Sequence, residues 1–193
     1  MAKMTAEDIK HSIFMRFFEM GGDYDFKKLD SLSGELCDFK KDYNSKDPQI
    51  DNVLGLIKVI VEEYERNNFF EACILAKPIM DRLLELDDLD YYDINILVVV
   101  LGYEMTLAGS QKLAKRALAA LEHYNREKRY LNIKLAIHGN MLFRLVRSRL
   151  FKVDKDNNEA NQTKIFKEHY TAIMKIFKDE EVKNKFMPHW AAT

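Results

Sequence analysis

Chain breakers are scarce in this sequence: three prolines and seven glycines in 193 residues. So few forced helix stops, in a chain rich in Leu, Lys, Glu and Ala, favour an all-α fold over strands joined by tight turns. Cysteine is nearly missing. Cys37 and Cys73 lie in different segments and form no CxxC pair. That excludes a disulfide scaffold, and two buried free thiols in a reducing cytoplasm are expected. Long hydrophobic runs are also lacking. The longest spans 94–103, well short of the roughly 20 residues that cross a bilayer, and no secretory leader opens the chain. A cytoplasmic protein without membrane association is expected. His11, His123, His138, His169 and His189 are scattered, with no HExxH spacing, phosphate loop or GxSxG. Asp87, Asp88, Asp90 and Asp93 lack the order of a calcium loop and are expected to be helix-start and linker charges. No metal, cofactor or enzymatic activity is expected.

What is present is an ordinary globular balance, 47% hydrophobic and 32% charged residues with a net charge of −1. The near-neutral total hides an asymmetry. Residues 111–152 hold eleven basic side chains, from Lys112, Lys115 and Arg116 through Arg144, Arg147, Arg149 and Lys152, against the two acidic residues Glu122 and Glu127. Such a block attracts an acidic partner, a peptide carboxylate or nucleic acid, or it is a solvated face balanced by the acidic first half.

Apolar periodicity organises the chain into four expected helical hairpins over 5–42, 50–86, 91–125 and 130–178, in a single domain 1–193. Thr5-Ala6-Glu7-Asp8 begins the first helix and Gly21-Gly22 ends it. Asp47-Pro48 begins another, and its partner carries Pro78, which predicts a kink or a late restart. The third hairpin is the most informative. An apolar helix from about 94 to 107 precedes a break at Ala108-Gly109-Ser110, and an amphipathic helix follows with Leu113, Ala114, Ala117, Leu118 and Leu121 on one side. Gly102 and Ala114 supply small residues where two helices touch, and Gly139 follows Gly102 at close to one repeat period. A flexible loop is expected over 154–161, and Phe186 and Trp190 are expected to cap the last apolar face. A hairpin cannot bury its apolar face alone, so a TPR-like right-handed solenoid of stacked antiparallel hairpins is expected.

The recurrent working surface of such a solenoid is the concave face of the first helices. The registers of Gly102 and Gly139 place Ile96, Val99, Tyr103, Thr106 and Leu107 there, then Ile133, Ala136, Asn140, Phe143 and Arg144, with Ile57, Val61 and Tyr64 from the preceding helix. The candidate ligand-binding residues are Tyr64, Val99, Tyr103, Thr106, Asn140, Phe143, Arg144 and Arg147. An Asn amide pairs with both groups of a peptide backbone, and an Arg fork holds a carboxylate. The competing reading is that the apolar members are core under a neighbouring helix or a second copy.

The entry Asp87-Asp88-Leu89-Asp90-Tyr91-Tyr92-Asp93-Ile94, the paired helices after it, and Leu135-Ala136-Ile137 ahead of Asn140 resemble the C-terminal regulatory domain of the Rgg/GadR/MutR transcription regulators over 88–151. The resemblance implies a dimeric repeat domain that senses a short peptide, with DNA reached only through a helix-turn-helix segment not found in residues 1–50. The expected function is therefore a regulatory peptide-binding domain, with short peptide or extended protein segment as partner and a homodimer as assembly. A generic TPR-like protein-interaction scaffold is the alternative, and nucleic-acid binding through the basic block is a third reading.

Overall fold

The computed structural model describes residues 5–20, 24–43, 45–126, 129–151 and 159–178. Among them the chain is all α-helical, with no strand. The eight α-helices are α1 (Ala6–Glu19), α2 (Phe26–Asp42), α3 (Pro48–Ile60), α4 (Phe69–Glu85), α5 (Tyr91–Val100), α6 (Leu107–Leu121), α7 (Tyr130–Phe151) and α8 (Glu159–Lys178). Gly21-Gly22, part of the 154–161 loop, Phe186 and Trp190 lie outside the described residues. The chain divides into two compact units, Met1–Tyr103 and Glu104–Thr193.

Local signals set the helix starts. Thr5 forms a capping box with Asp8: its hydroxyl accepts from the Asp8 N–H while the Asp8 carboxylate accepts from the Thr5 N–H at 2.9 Å. Asp47 caps α3 with Pro48 in the first turn, and Asn68 caps α4. In the first unit α1 pairs with α2 and α3 with α4, while α3 and α4 also pack on α5. Its core joins Phe14, Leu29, Leu36, Ile50, Leu56, Leu83 and Leu97, all fully buried. Between α3 and α4 the chain makes a π-helical turn, Val61–Glu65, and Asn67 takes a left-handed φ of 54°. That conformation suits Asn better than most residues.

The first unit also buries charge. Lys10 of α1 lies 2.5 Å from the Asp47 carboxylate and donates to Gln49 Oε1 at 2.9 Å. Gln49 donates in turn to Asp90, the α5 cap, at 2.8 Å. Arg82 of α4 donates to Asn52 at 3.0 Å and lies 3.8 Å from buried Asp93. Burial, then the neighbouring Asp90 charge, pushes the Asp93 carboxyl up. One polar network thereby pins α1, α3, α4 and α5 in register.

In the second unit α6 packs on α7 and α7 on α8. Leu113, Ala117, Leu121, Ile137, Met141 and Ile165 form its core.

Four sequence expectations change. The break after α5 falls at Glu104–Thr106, not at Ala108-Gly109-Ser110, which forms the first turn of α6. Thr106 decides this: its hydroxyl accepts from the Gly109 N–H at 3.0 Å and so caps a helix that already includes Ala108-Gly109-Ser110. The boundary between the units thus lies inside the expected 91–125 hairpin. The helix α4 does not restart at Pro78 but runs through it, with Pro78 on the exposed side. Cys37 is exposed because it stands one position past Leu36 on α2, while Cys73 is buried. Gly102 and Gly139 are not close-approach points: a Cβ at either meets no atom within 4 Å.

Candidate functional site

The expected groove residues divide between the units. Tyr64, Val99 and Tyr103 belong to the first; Thr106, Asn140, Phe143, Arg144 and Arg147 belong to the second. In the first unit the tyrosines form a cluster. Tyr64 is half exposed, with its ring centroid 5.3 Å from that of Tyr24. Tyr103 is buried and stacks at 6.3 Å on Phe69. Burial is the main cause that pushes the Tyr24 hydroxyl up to about 12, and burial followed by Glu63 raises Tyr103 further. Phenols held protonated in this way pack and donate hydrogen bonds; they are not poised for proton abstraction. Val99 is half-buried on α5.

Several other expected groove positions are core. Ile57, Ile96, Leu107 and Ile133 are buried, as the competing reading held. Arg144 is the sharpest correction. It is 1% exposed, and its Nε and Nη2 donate to the backbone carbonyls of Glu104 and Met105. Those carbonyls stand in the non-helical entry to α6, where no helical N–H reaches them, so the guanidinium satisfies them instead of a ligand carboxylate. Arg144 follows buried Ile137 by seven residues and Met141 by three, which sets it on the inward side of α7. That phase was the available signal. Thr106 is exposed, but its hydroxyl is engaged by Glu104 and Gly109. Asn140 is half-buried. Phe143 and Arg147 do meet at the surface, with the guanidinium 4.3 Å above the Phe143 ring.

That pair opens onto an apolar surface formed by α7 and α8. On α7, Phe143, Val146 and Leu150 are exposed, Leu150 by 72%. On α8, Phe166, Tyr170 and Phe177 are exposed by nearly half each. A cleft of about 240 Å³ runs between the helices, lined by Leu142, Leu145, Val146 and Arg149 from α7 and Gln162, Thr163 and Phe166 from α8. Phe166 and Tyr170 stack on each other, 5.7 Å apart and 8° from parallel. Arg149 donates to Gln162 at 2.8 Å across the cleft. The signal was the width of the α8 stripe: Ile165 is buried while Phe166, Tyr170 and Phe177 point elsewhere, more apolar surface than one neighbouring helix covers.

Beneath this face, buried His138 of α7 and His169 of α8 stand with Nδ1 atoms 2.8 Å apart, one donating and the other accepting. Burial, followed by His169 and Lys134, pushes His138 down to about 4, and burial lowers His169 as well. Both rings are neutral near pH 7, and the pair holds the two helices together. A second cleft, of about 440 Å³ beside α1 and α2, is lined by charges already matched to each other, such as Arg16 with Glu35 at 2.5 Å. Among the described residues no three His, Cys, Asp or Glu side chains come together as a metal site, and no helix there is long and apolar enough to cross a membrane.

Compared with protein-family models, with curated proteins and with solved structures, the chain matches none.

Proposed function

We propose that this chain is a regulatory binding module, not an enzyme, that captures a segment of another protein on the outer face of α7 and α8. One observation carries the reading: six large apolar side chains, Phe143, Val146, Leu150, Phe166, Tyr170 and Phe177, stand exposed on two adjacent helices beside an apolar cleft. Water-facing apolar surface of this extent costs free energy unless a partner covers it. The resemblance to the peptide-sensing domain of the Rgg/GadR/MutR regulators supports a regulatory setting, in the cytoplasm, with DNA reached through a separate segment. The antiparallel pairs α1–α2, α3–α4 and α7–α8 suit a TPR-like stack, and that finer architecture belongs to the same proposal. The ligand surface differs from the concave groove read from the glycine registers, because Arg144 is committed internally.

The test is selection of a displayed peptide library on the full chain and on its Leu150→Glu variant. Enrichment on the parent and loss on the variant is the expected result. Failure to enrich any peptide on the parent overturns the reading.

A further inference from the structure

The spacing and the charge of the α7–α8 face specify the kind of segment it takes; this rests on the binding reading above. On α8, Thr163, Phe166, Tyr170, Ile173 and Phe177 recur at alternating steps of three and four, the step of a coiled-coil seam. On α7, Phe143, Val146 and Leu150 repeat the same step. Val146 and Phe166 both line the cleft, so the two rows flank it. Parallel rows at this spacing on either side of a furrow are the surface a third helix fills.

An extended ligand fits poorly. Its backbone N–H and C=O groups would rest on an apolar floor, and helices α7 and α8 have already used their own backbone groups internally. A helical ligand arrives with its backbone satisfied.

Charge then selects the helix. At its surface α7 carries Arg147 and Arg149 and no acidic residue, Arg144 being buried and Lys134 paired with Glu122, and α8 carries four lysines against Glu159 and Glu168. Arg147 sits over Phe143 at the edge of the face, and Lys167 adjoins Phe166 in sequence. A second copy docked through the same face would oppose basic rim to basic rim, because a two-fold contact is self-paired. Single-stranded nucleic acid would need open aromatic faces for its bases. Here Phe166 and Tyr170 stack on each other and Arg147 covers Phe143. We propose that the α7–α8 face docks an amphipathic helix of a different protein whose apolar stripe is flanked by Asp and Glu.

Fluorescence anisotropy on the full chain tests this with four labelled probes. The first is a helical peptide with Leu at coiled-coil spacing and Glu flanks. The second has Lys flanks, the third is the first with two central prolines, and the fourth is random single-stranded RNA. The expected result is saturable binding of the first probe, weaker by more than about tenfold for the second and third, with salt weakening the first. Leu150→Glu and Val146→Asp, both at exposed positions, should abolish it while the far-ultraviolet circular dichroism is unchanged. Equal binding of the proline peptide overturns the helix and leaves the binding module standing. Equal or tighter binding of the Lys peptide overturns the acidic partner. Sedimentation showing a dimer that the Glu peptide does not dissociate, and that Leu150→Glu does, assigns the face to a second copy and overturns the proposal. Binding of RNA alone overturns both this proposal and the protein-segment reading.

Discussion

The two compact units differ in which polar groups they bury and in how far they expose apolar side chains. In residues 1–103, Lys10, Gln49, Asn52 and Asp93 are buried and wired together across four helices. Among the described residues of 104–193, Phe143, Val146, Leu150, Phe166, Tyr170 and Phe177 face water, and the buried polar groups are Arg144, two histidines and two serines. The difference separates two jobs. A buried polar network tolerates few alternative packings, since every misplaced member loses its partner, so it specifies one arrangement. An exposed apolar face specifies nothing by itself and waits for a complementary surface. On the proposed function the first unit is the frame and the second carries the binding face.

Arg144 is the buried charge on which the second unit depends, and it offers the hardest test of the contrast. Arg144→Ala removes both donors to the Glu104 and Met105 carbonyls and leaves a cavity; the expected loss is about 4 kcal/mol in urea unfolding. A loss below about 1 kcal/mol would show that the α6 entry is held by something else.

Acidification should act on the second unit next. Folding holds His138 near 4, below the roughly 6.5 of an unfolded histidine, so the folded state binds fewer protons. The stability this represents is present above pH 6.5 and is lost as the pH falls toward 4, with His169 shifted in the same direction. The expected loss is roughly 2 to 3 kcal/mol. His138→Gln should flatten that part of the stability–pH curve relative to the parent, and parallel curves for parent and variant would remove the histidine pair from the account.

In the first unit, Lys10→Met removes the ammonium that stands over the Phe14 and Tyr92 rings and strands Asp47 and Gln49. A loss of about 2 kcal/mol in urea unfolding is expected. No loss would mean that the network does not fix the frame. The smallest effect should come from the binding face. Phe166→Ala, at a half-exposed position, should change stability by less than about 1 kcal/mol. The same change should weaken capture of a partner segment, measured by anisotropy. Strong destabilisation instead would recast Phe166 as core.

Much of the first unit was legible in the sequence. Thr5 with Asp8 and Asp47 with Pro48 each mark a helix start through groups within three residues, and each stands where the helix begins. The central hairpin misled because two candidate breaks lie only a few residues apart, and the choice went to Thr106, whose hydroxyl caps α6. Gly102 and Gly139 invited a close-packing reading that the surrounding space does not support. The second unit was harder. Residue types alone do not tell whether Phe166 and Phe177 are covered, or that Arg144 turns inward toward two carbonyls about 40 residues earlier in the chain.

By itself the sequence determined that this protein is helical, where most of its helices begin, and which of their sides are apolar, since those depend on neighbours within a turn or two. Only the tertiary structure decided which apolar side is covered, where Arg144 finds its acceptors and that His138 meets His169. Those outcomes are set by packing between segments tens of residues apart, whose free energy no local pattern contains.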